Sequence, residues 1–328
     1  MPKFTRIKLC RLSPLHVGTG RDSYDSSASE LHSDTLTAAL ASMLASEGRA
    51  GEVEGFMSSL RLSSAFPFYG DVFFLPRLQG NIPIEMSEEE ITEKRKGLKK
   101  VKYLETSLWL ELYGGKAIKL SDVVIDGSFL MRKGTSIGKV SASQVSQRVC
   151  VGQDGEDAQP FFFDWQYFSP KAGLYCITDA TGKVLDDAIS LFKTLGECGI
   201  GSDKNVGGGK FEVETDTAEL ADPPAADASA IMSLYIPMSE EMDGLQLTDS
   251  RYSLLRRGGF IAGSSEENLR HLRKRSVYMF GVGSVFPTLN PLSGMVVDLR
   301  PSWNDENMHP VLRSGQPIVL HVKMNDND

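Results

Sequence analysis

The stretch Gly199–Lys210, read as Gly-Ile-Gly-Ser-Asp-Lys-Asn-Val-Gly-Gly-Gly-Lys, constrains the fold of this chain more than any other. Upstream, Leu185, Ala188, Ile189, Phe192 and Leu195 recur at helical spacing, which predicts an amphipathic helix of about three turns. Downstream, Phe211-Glu-Val-Glu alternates as a half-buried strand does. A helix therefore ends in glycines, a loop follows, and a strand begins. Gly199, Gly201, Gly207, Gly208 and Gly209 let that loop take positive φ angles and bring bare backbone against another chain. Successive N–H groups in such a loop form a concavity for anions, and Lys204 and Lys210 add charge. Two nucleotide motifs are excluded. A Walker A loop needs Gly-x-x-x-x-Gly-Lys-Ser/Thr, but Lys204 stands five before Gly209 and Phe211 follows Lys210. The dinucleotide fingerprint needs strand, glycines, then helix, the reverse of this order.

At 328 residues, with 24% charged and 41% hydrophobic residues, the chain is expected to form two globular domains. No apolar run approaches the roughly 20 residues that span a membrane. The N-terminal strand pattern carries Lys3, Arg6 and Lys8 and no signal-peptide core. Cys10, Cys150, Cys176 and Cys198 lie far apart without a C-x-x-C pair, and His271, His309 and His321 are scattered. Neither a metal site nor a disulfide framework is indicated; buried thiols in a reducing cytoplasm and no cofactor are expected. The net charge of −8 argues against whole-surface nucleic-acid binding but leaves room for a local basic face. Such a face is present, since residues 251–275 hold seven Lys/Arg against two Glu, whereas 216–249 carry no Lys or Arg.

In chain order, residues 3–12 read as a strand with Ile7 and Leu9 on one face. Pro14-Leu-His-Val-Gly-Thr-Gly-Arg21 is a loop in which Gly18 frees the backbone and His16 and Arg21 are candidate phosphate contacts. Ser33 or Asp34 is a natural cap for a helix with Leu36, Ala39, Leu40, Met43 and Leu44 on one face. Strand, glycine loop and capped helix make the first half of a β-α-β-β-α-β unit, which the helix before Gly199 completes. The aromatic residues of 63–76 are expected in the core. The mixed run up to Lys102 reads as a solvated helix face. Residues 131–160 lack periodicity and read as a hairpin-like protrusion, followed by the aromatic run Phe161–Phe168. Residues 216–229, with Pro223-Pro224 and several alanines, read as a linker.

Taken together, the Pro-Leu-His-Val-Gly loop, Leu31-His-Ser-Asp-Thr-Leu36, Ser64-Ala-Phe-Pro-Phe68, the glycine loop, Arg256-Arg-Gly-Gly-Phe260 and Gly283-Ser-Val-Phe286 resemble a known family. In this order they are similar to the Cas5-group RAMP subunits of type III-A CRISPR effectors, the group that supplies the fourth subunit of the Csm complex. The resemblance implies an α+β fold of two tandem ferredoxin-like (RRM-like) domains with a β-hairpin thumb. The domains are expected at 1–215 and 230–328, joined by 216–229, with the thumb at about 131–160. It also implies a non-catalytic subunit that holds the 5′ tag of the crRNA and docks the large cyclase/nuclease subunit and the backbone RAMP subunit. Carried onto this chain, RNA-binding positions are His16, Ser33, Gly199, Gly201, Lys204, Gly207, Gly208, Gly209 and Lys210, the basic residues Arg251, Arg256 and Arg257, and Arg148 on the thumb. One departure is that Gly201-Ser-Asp203-Lys204-Asn205 stands where the family has Gly-Gly followed by Lys/Arg-Ser/Thr. The backbone amides, rather than Lys204, are therefore expected to lead.

The alternative is a RAMP endoribonuclease that processes crRNA precursors. Metal-independent cleavage needs a base for the 2′-OH and an acid for the leaving oxygen, which makes His16 and His32 candidates, with Tyr24 and Lys8 beside them. A small-molecule nucleotide enzyme is left without its motifs.

Overall fold

Strand β1 (Lys3–Cys10) buries Ile7 and Leu9 on one face and carries Arg6 and Lys8 on the other, the alternation read from sequence. The computed structural model describes all residues except 1–2, 19–26, 29, 151–158, 203, 262–271, 302–307 and 325–328. Helix α1 (Ser33–Leu44) follows and buries Leu36, Leu40 and Leu44. His32 occupies its cap position without a side-chain cap bond, because Ser33 and Asp34, the expected caps, already lie inside the helix and bond elsewhere. Next come α2 (Val53–Ser59) and the strands β2 (Phe66–Tyr69) and β3 (Val72–Pro76). Phe66, Phe68 and Phe74 are core residues, as expected.

Helix α3 (Glu88–Lys100) opens with a capping box in which Ser87 and Glu90 exchange hydrogen bonds. After it run β4 (Tyr103–Glu105), α4 (Thr106–Leu112), β5 (Val123–Asp126) and β6 (Phe129–Arg132). The protrusion lies further along the chain than 131–160. Strands β7 (Ser141–Cys150) and β8 (Gln159–Phe168) form a ladder of their own, and residues 131–132 belong to β6 in the main sheet. The aromatic run is thus the second strand of the protrusion, not a separate cluster.

Strand β9 (Ala172–Thr178), helix α5 (Gly182–Cys198) and strand β10 (Glu212–Glu219) complete the first part. The sheet order is β10-β1-β9-β2-β3-β4-β6-β5. Its first four strands with α1 and α5 are the β-α-β-β-α-β unit, and β3 to β6 extend that sheet sideways. Both helices pack on the Ile7/Leu9 face through Leu36, Leu40, Leu191 and Phe192.

The C-terminal part contains β11 (Ala228–Ile231), β12 (Leu254–Arg257), β13 (Val277–Phe280), β14 (Val285–Phe286), β15 (Val296–Asp298), β16 (Leu312–Ser314) and β17 (Val319–Val322). They form a sheet β14-β11-β17 and the antiparallel pairs β12-β13 and β15-β16. Strand β10 runs to Glu219 and β11 begins at Ala228, so strand occupies both ends of 216–229. The parts share one core: Phe4, Ala218 and Leu220 pack with Ala228, Met232, Val285 and Leu320. Polar bonds reinforce the junction, since the buried Ser33 Oγ accepts from Leu234 N at 2.9 Å and Ser64 N donates to the Met232 carbonyl at 2.9 Å.

Among the described residues Cys176 is buried, Cys10 is partly buried and Cys198 is exposed, which corrects the expectation of uniformly buried thiols. Cys198 is the last residue of α5, on its solvent side, where the glycine turn leaves the helix. No described helix is long and apolar enough to cross a membrane, and no described cluster of His, Cys, Asp and Glu suits a metal ion.

Candidate nucleic-acid interface

Helix α5 ends at Gly199, whose φ of 86° turns the chain out of the helix, and the glycine loop then folds back onto residues 13–18. Ser13 clasps it. Its hydroxyl accepts from Lys210 N at 2.7 Å and donates to the Gly207 carbonyl at 3.0 Å. Gly209 N donates to the Pro14 carbonyl, Ser202 N to that of His16, and Ile200 N to that of Gly209. A Cβ on Gly209 would overlap the Ile200 carbonyl, and one on Gly201 the His16 carbonyl. The close backbone approach predicted from these glycines is real, but the partners are the loop's own backbone at Ile200 and Gly208 and, for Gly201, the carbonyl of His16. The amides of Gly199, Ile200, Ser202, Gly207, Gly209 and Lys210 are donated internally, so the expected open cradle is largely closed. The exposed groups are the side chains of Lys204 and Lys210, which reverses the expected order of amides before lysines. Gly208 is buried and Gly207 is exposed with φ +87°.

His16 is 2% exposed. Its Nδ1 lies 2.8 Å from the Asp164 carbonyl, which only accepts, so Nδ1 carries the proton. Its ring packs 4.3 Å from that of Phe163. His16 thus braces the root of the protrusion instead of facing outward to a phosphate, because the β7-β8 hairpin folds down over its loop. Asp164 ties the same region together: its carboxylate accepts from Ser27 N at 3.1 Å and from Ser143 Oγ at 2.5 Å. Gly18 pairs with Ser27 beside this knot. Arg21 and Asp203 lie outside the described residues. On the hairpin, Arg148 sits over Phe163 and Trp165, 4.9 and 5.2 Å from their ring centroids. Phe163 and Trp165 are buried by these contacts, whereas Phe162, Val145 and Val149 are exposed on the opposite face of the hairpin.

The basic segment divides by strand alternation. Arg257 points inward to Asp34 at the start of α1, with Nε 2.9 Å from Oδ2 and Nη2 3.0 Å from Oδ1. Arg313 reaches the same carboxylate, which is fully buried. Burial pushes the Arg257 guanidinium down, and that of Arg313 to about 10. Arg257 is therefore a structural anchor and not an outward RNA contact: its ion pair holds β12 against α1. Ser33, next to Asp34, is buried in the same junction. Arg256 faces the other way and is exposed, and Arg251 is half-buried where it bridges Val285.

Two adjoining cavities connect these regions. One, of about 390 Å³, lies between His32, Phe66 and Arg77 and the Ser253–Leu255 end of β12. The other, of about 440 Å³, runs on past Phe129 to Lys139 and Gln166 at the root of the protrusion. Lys102 and Tyr103 line both. His32 Nδ1 is buried here without a hydrogen-bond partner. Burial, and next the Arg257 charge, push its imidazole down to about 4, with Glu30 opposing, so it is neutral at pH 7. Between them the two cavities reach from the C-terminal basic hairpin to the root of the protrusion. Sequence reading missed Lys102, Tyr103 and Lys139. A Lys-Tyr pair just past a helix end was the available signal, and it was absorbed into the charged run before it. A larger cavity of about 800 Å³ lies apart from the glycine loop, between α3 and Gly115–Ala117.

A β-α-β-β-α-β sheet with a hairpin insertion, a braced glycine loop after its second helix, and a strand-rich second part defines a RAMP-type protein. Residues 225–322 match the family model of the CRISPR Csm4 C-terminal domain. Over 307 residues the chain is 27% identical to the "CRISPR system Cms protein Csm4" of Mycobacterium tuberculosis (strain CDC 1551 / Oshkosh), covering 92% of this chain and 93% of the relative. It is 27% identical over 289 residues to the protein of the same name from Thermococcus onnurineus (strain NA1), covering 84% and 87%. In fold it is similar to a chain of the Csm1-Csm4 cassette in complex with cA4, with a TM-score of 0.65 at 22% identity and coverage of 99% and 100%. A chain of the Csm3-Csm4 subcomplex of the type III-A CRISPR-Cas interference complex gives a TM-score of 0.65 at 16% identity, covering 98% and 100%. The chain is thus similar to Csm4 proteins over most of its length, in sequence and in fold.

Proposed function

We propose that this chain is the non-catalytic subunit that holds the 5′ tag of the crRNA in a type III-A complex of the cytoplasm. In this reading residues 1–215 and 230–328 act as two RAMP units flanking one RNA path. The observation that carries it is the pair of adjoining cavities between the basic hairpin and the protrusion, both lined by Lys102 and Tyr103, the second also by Lys139. Single-stranded RNA is held by a cationic track with aromatic rings for its bases, and these cavities offer both. Similar folds occur in the Csm1-Csm4 cassette and the Csm3-Csm4 subcomplex, which supports docking of this chain to a large subunit and to a backbone RAMP subunit.

The test is filter binding of crRNA with an intact or a scrambled tag to the reconstituted complex. Lys102→Glu, which reverses a charge in the cleft wall, is expected to weaken binding of the intact tag at least about tenfold. Equal binding of intact and scrambled tags, unchanged by Lys102→Glu, overturns the reading.

A further inference from the structure

Strands β12 and β13 pair Leu254 with Phe280, Arg256 with Tyr278 and Arg257 with Val277. Alternation places Leu254, Arg256 and Tyr278 on the outer face and Leu255, Arg257, Val277 and Met279 on the inner one. The inner face is fastened to the core, Arg257 through Asp34 and Met279 among Leu234 and Ile236. The outer face is uncovered at Tyr278, 65% exposed, and Leu254, 53% exposed, while Phe280 at its far end is buried against Tyr235 and Phe286. Tyr252 stands edge-on to Phe280, with centroids 5.2 Å apart. Arg256 Nη2 lies 3.3 Å from Ser276 Oγ. Gly258 has Ser276 as its nearest neighbour and contributes no side chain to that face, which leaves the flank of Tyr278 open. The hairpin continues through the Phe260–Arg273 bridge, where the Arg273 guanidinium lies 5.2 Å from the Phe260 ring centroid.

We propose that this outer face is a stacking platform for single-stranded RNA, in which a base lies on the Tyr278 ring and Arg256 meets the adjoining phosphate. Apart from Arg257, which is paired with Asp34, residues 251–261 and 272–280 carry five Arg/Lys and no Asp or Glu, within a chain of net charge −8. That complementarity selects a polyanion over a protein surface, and exposed rings beside guanidinium groups are what an unstacked base requires. The rigid ladder matters, because Tyr278 is ordered before RNA arrives and the stack forms without ordering a loop. The platform deepens the RNA-holding reading above and rests on it.

The experiment measures fluorescence anisotropy of the full-length chain with labelled octa-adenylate and with an abasic octamer of the same charge. Tyr278→Ala is expected to weaken octa-adenylate binding about tenfold, the loss of one base–aromatic stack, and to leave the abasic octamer unchanged. Tyr278→Phe should retain the parent affinity. Arg256→Ala should weaken both oligomers and flatten the slope of log affinity against log salt by about 0.7. The platform is overturned if Tyr278→Ala binds octa-adenylate like the parent, or if Tyr278→Phe fails as Ala does. It is equally overturned if Tyr278→Ala abolishes association with a protein subunit while RNA affinity holds. If Lys102→Glu lowers crRNA binding but Tyr278→Ala does not, the cleft stands without the platform. A parent chain that binds neither oligomer, with a complex blind to the tag, removes both.

Discussion

The glycine loop at 199–210 and the basic hairpin at 251–280 differ in what they do with their polar groups. The loop donates six of its amides to the chain itself, and its glycines are required where one backbone segment lies on another. The hairpin spends one face on the core and leaves the other bare, since neighbours in a strand point to opposite sides. Adjacent arginines therefore have opposite roles: Arg257 is bound to a buried carboxylate and Arg256 is free to face solvent contacts. A glycine-rich loop is thus a weaker indicator of a ligand than a strand with one charged, uncovered face. Glycine lowers the steric cost of any close approach, including one to the same chain.

The sharpest way to break the comparison is Gly209→Ala. The added Cβ meets the Ile200 carbonyl at a φ of +67°, so the Ile200–Gly209 contact inside the loop must open and the Gly209 N bond to the Pro14 carbonyl is disturbed with it. The expected loss exceeds about 4 kcal/mol, read from urea unfolding. Parent-like stability would mean that the loop is not braced as described.

For the hairpin, the corresponding break is Asp34→Ala. It leaves Arg257 and Arg313 without their shared carboxylate inside the protein and is expected to cost about 3–5 kcal/mol. If instead the arginines reach solvent, unfolding midpoints will stay near the parent value.

His32, beside this junction, sharpens the contrast through pH. Its ordinary value is 6.5, and in the fold it is held down to about 4. Between these values the unfolded chain binds the extra proton, so this residue makes stability rise with pH across that window, by up to about 3 kcal/mol. Stability from this source is complete above pH 6.5 and is lost as pH falls toward 4. Urea midpoints at pH 7 and pH 5 should fall less on acidification in His32→Gln than in the parent; equal falls would count against a buried neutral imidazole.

The smallest effects belong to the outside of the loop. Gly207 has open space around a Cβ and only its positive φ to lose, so Gly207→Ala should cost about 1 kcal/mol. Lys210→Ala should leave stability unchanged. If Lys210 meets a tag phosphate, this variant flattens the salt slope of crRNA affinity by about 0.7. An unchanged slope limits the loop to a structural role.

Much of the first part was legible because local periodicity and tertiary burial agree there. Ile7 and Leu9 alternate and are buried, and Leu36, Leu40, Leu191 and Phe192 recur at helical spacing and meet in one core. The protrusion was legible as an irregular stretch but misplaced, since an aromatic strand packed on its neighbour looks in sequence like a core segment.

By itself, the sequence determined the β-α-β-β-α-β unit, the helix–glycine loop–strand junction and the concentration of positive charge at 251–275. Those features depend on residues close in the chain, where side-chain period and backbone freedom act directly. Only the tertiary structure decided that His16 lies under the hairpin, that Arg257 is consumed by Asp34, that the amides of Gly199, Gly207 and Gly209 are occupied, and that Lys102 and Tyr103 line both cavities. Asp34 and Arg257 are 223 residues apart, and Pro14 and Gly209 meet only when the loop closes on β1's exit. Which polar group a side chain bonds depends on what long-range packing brings within about 3 Å, and no local pattern encodes that distance.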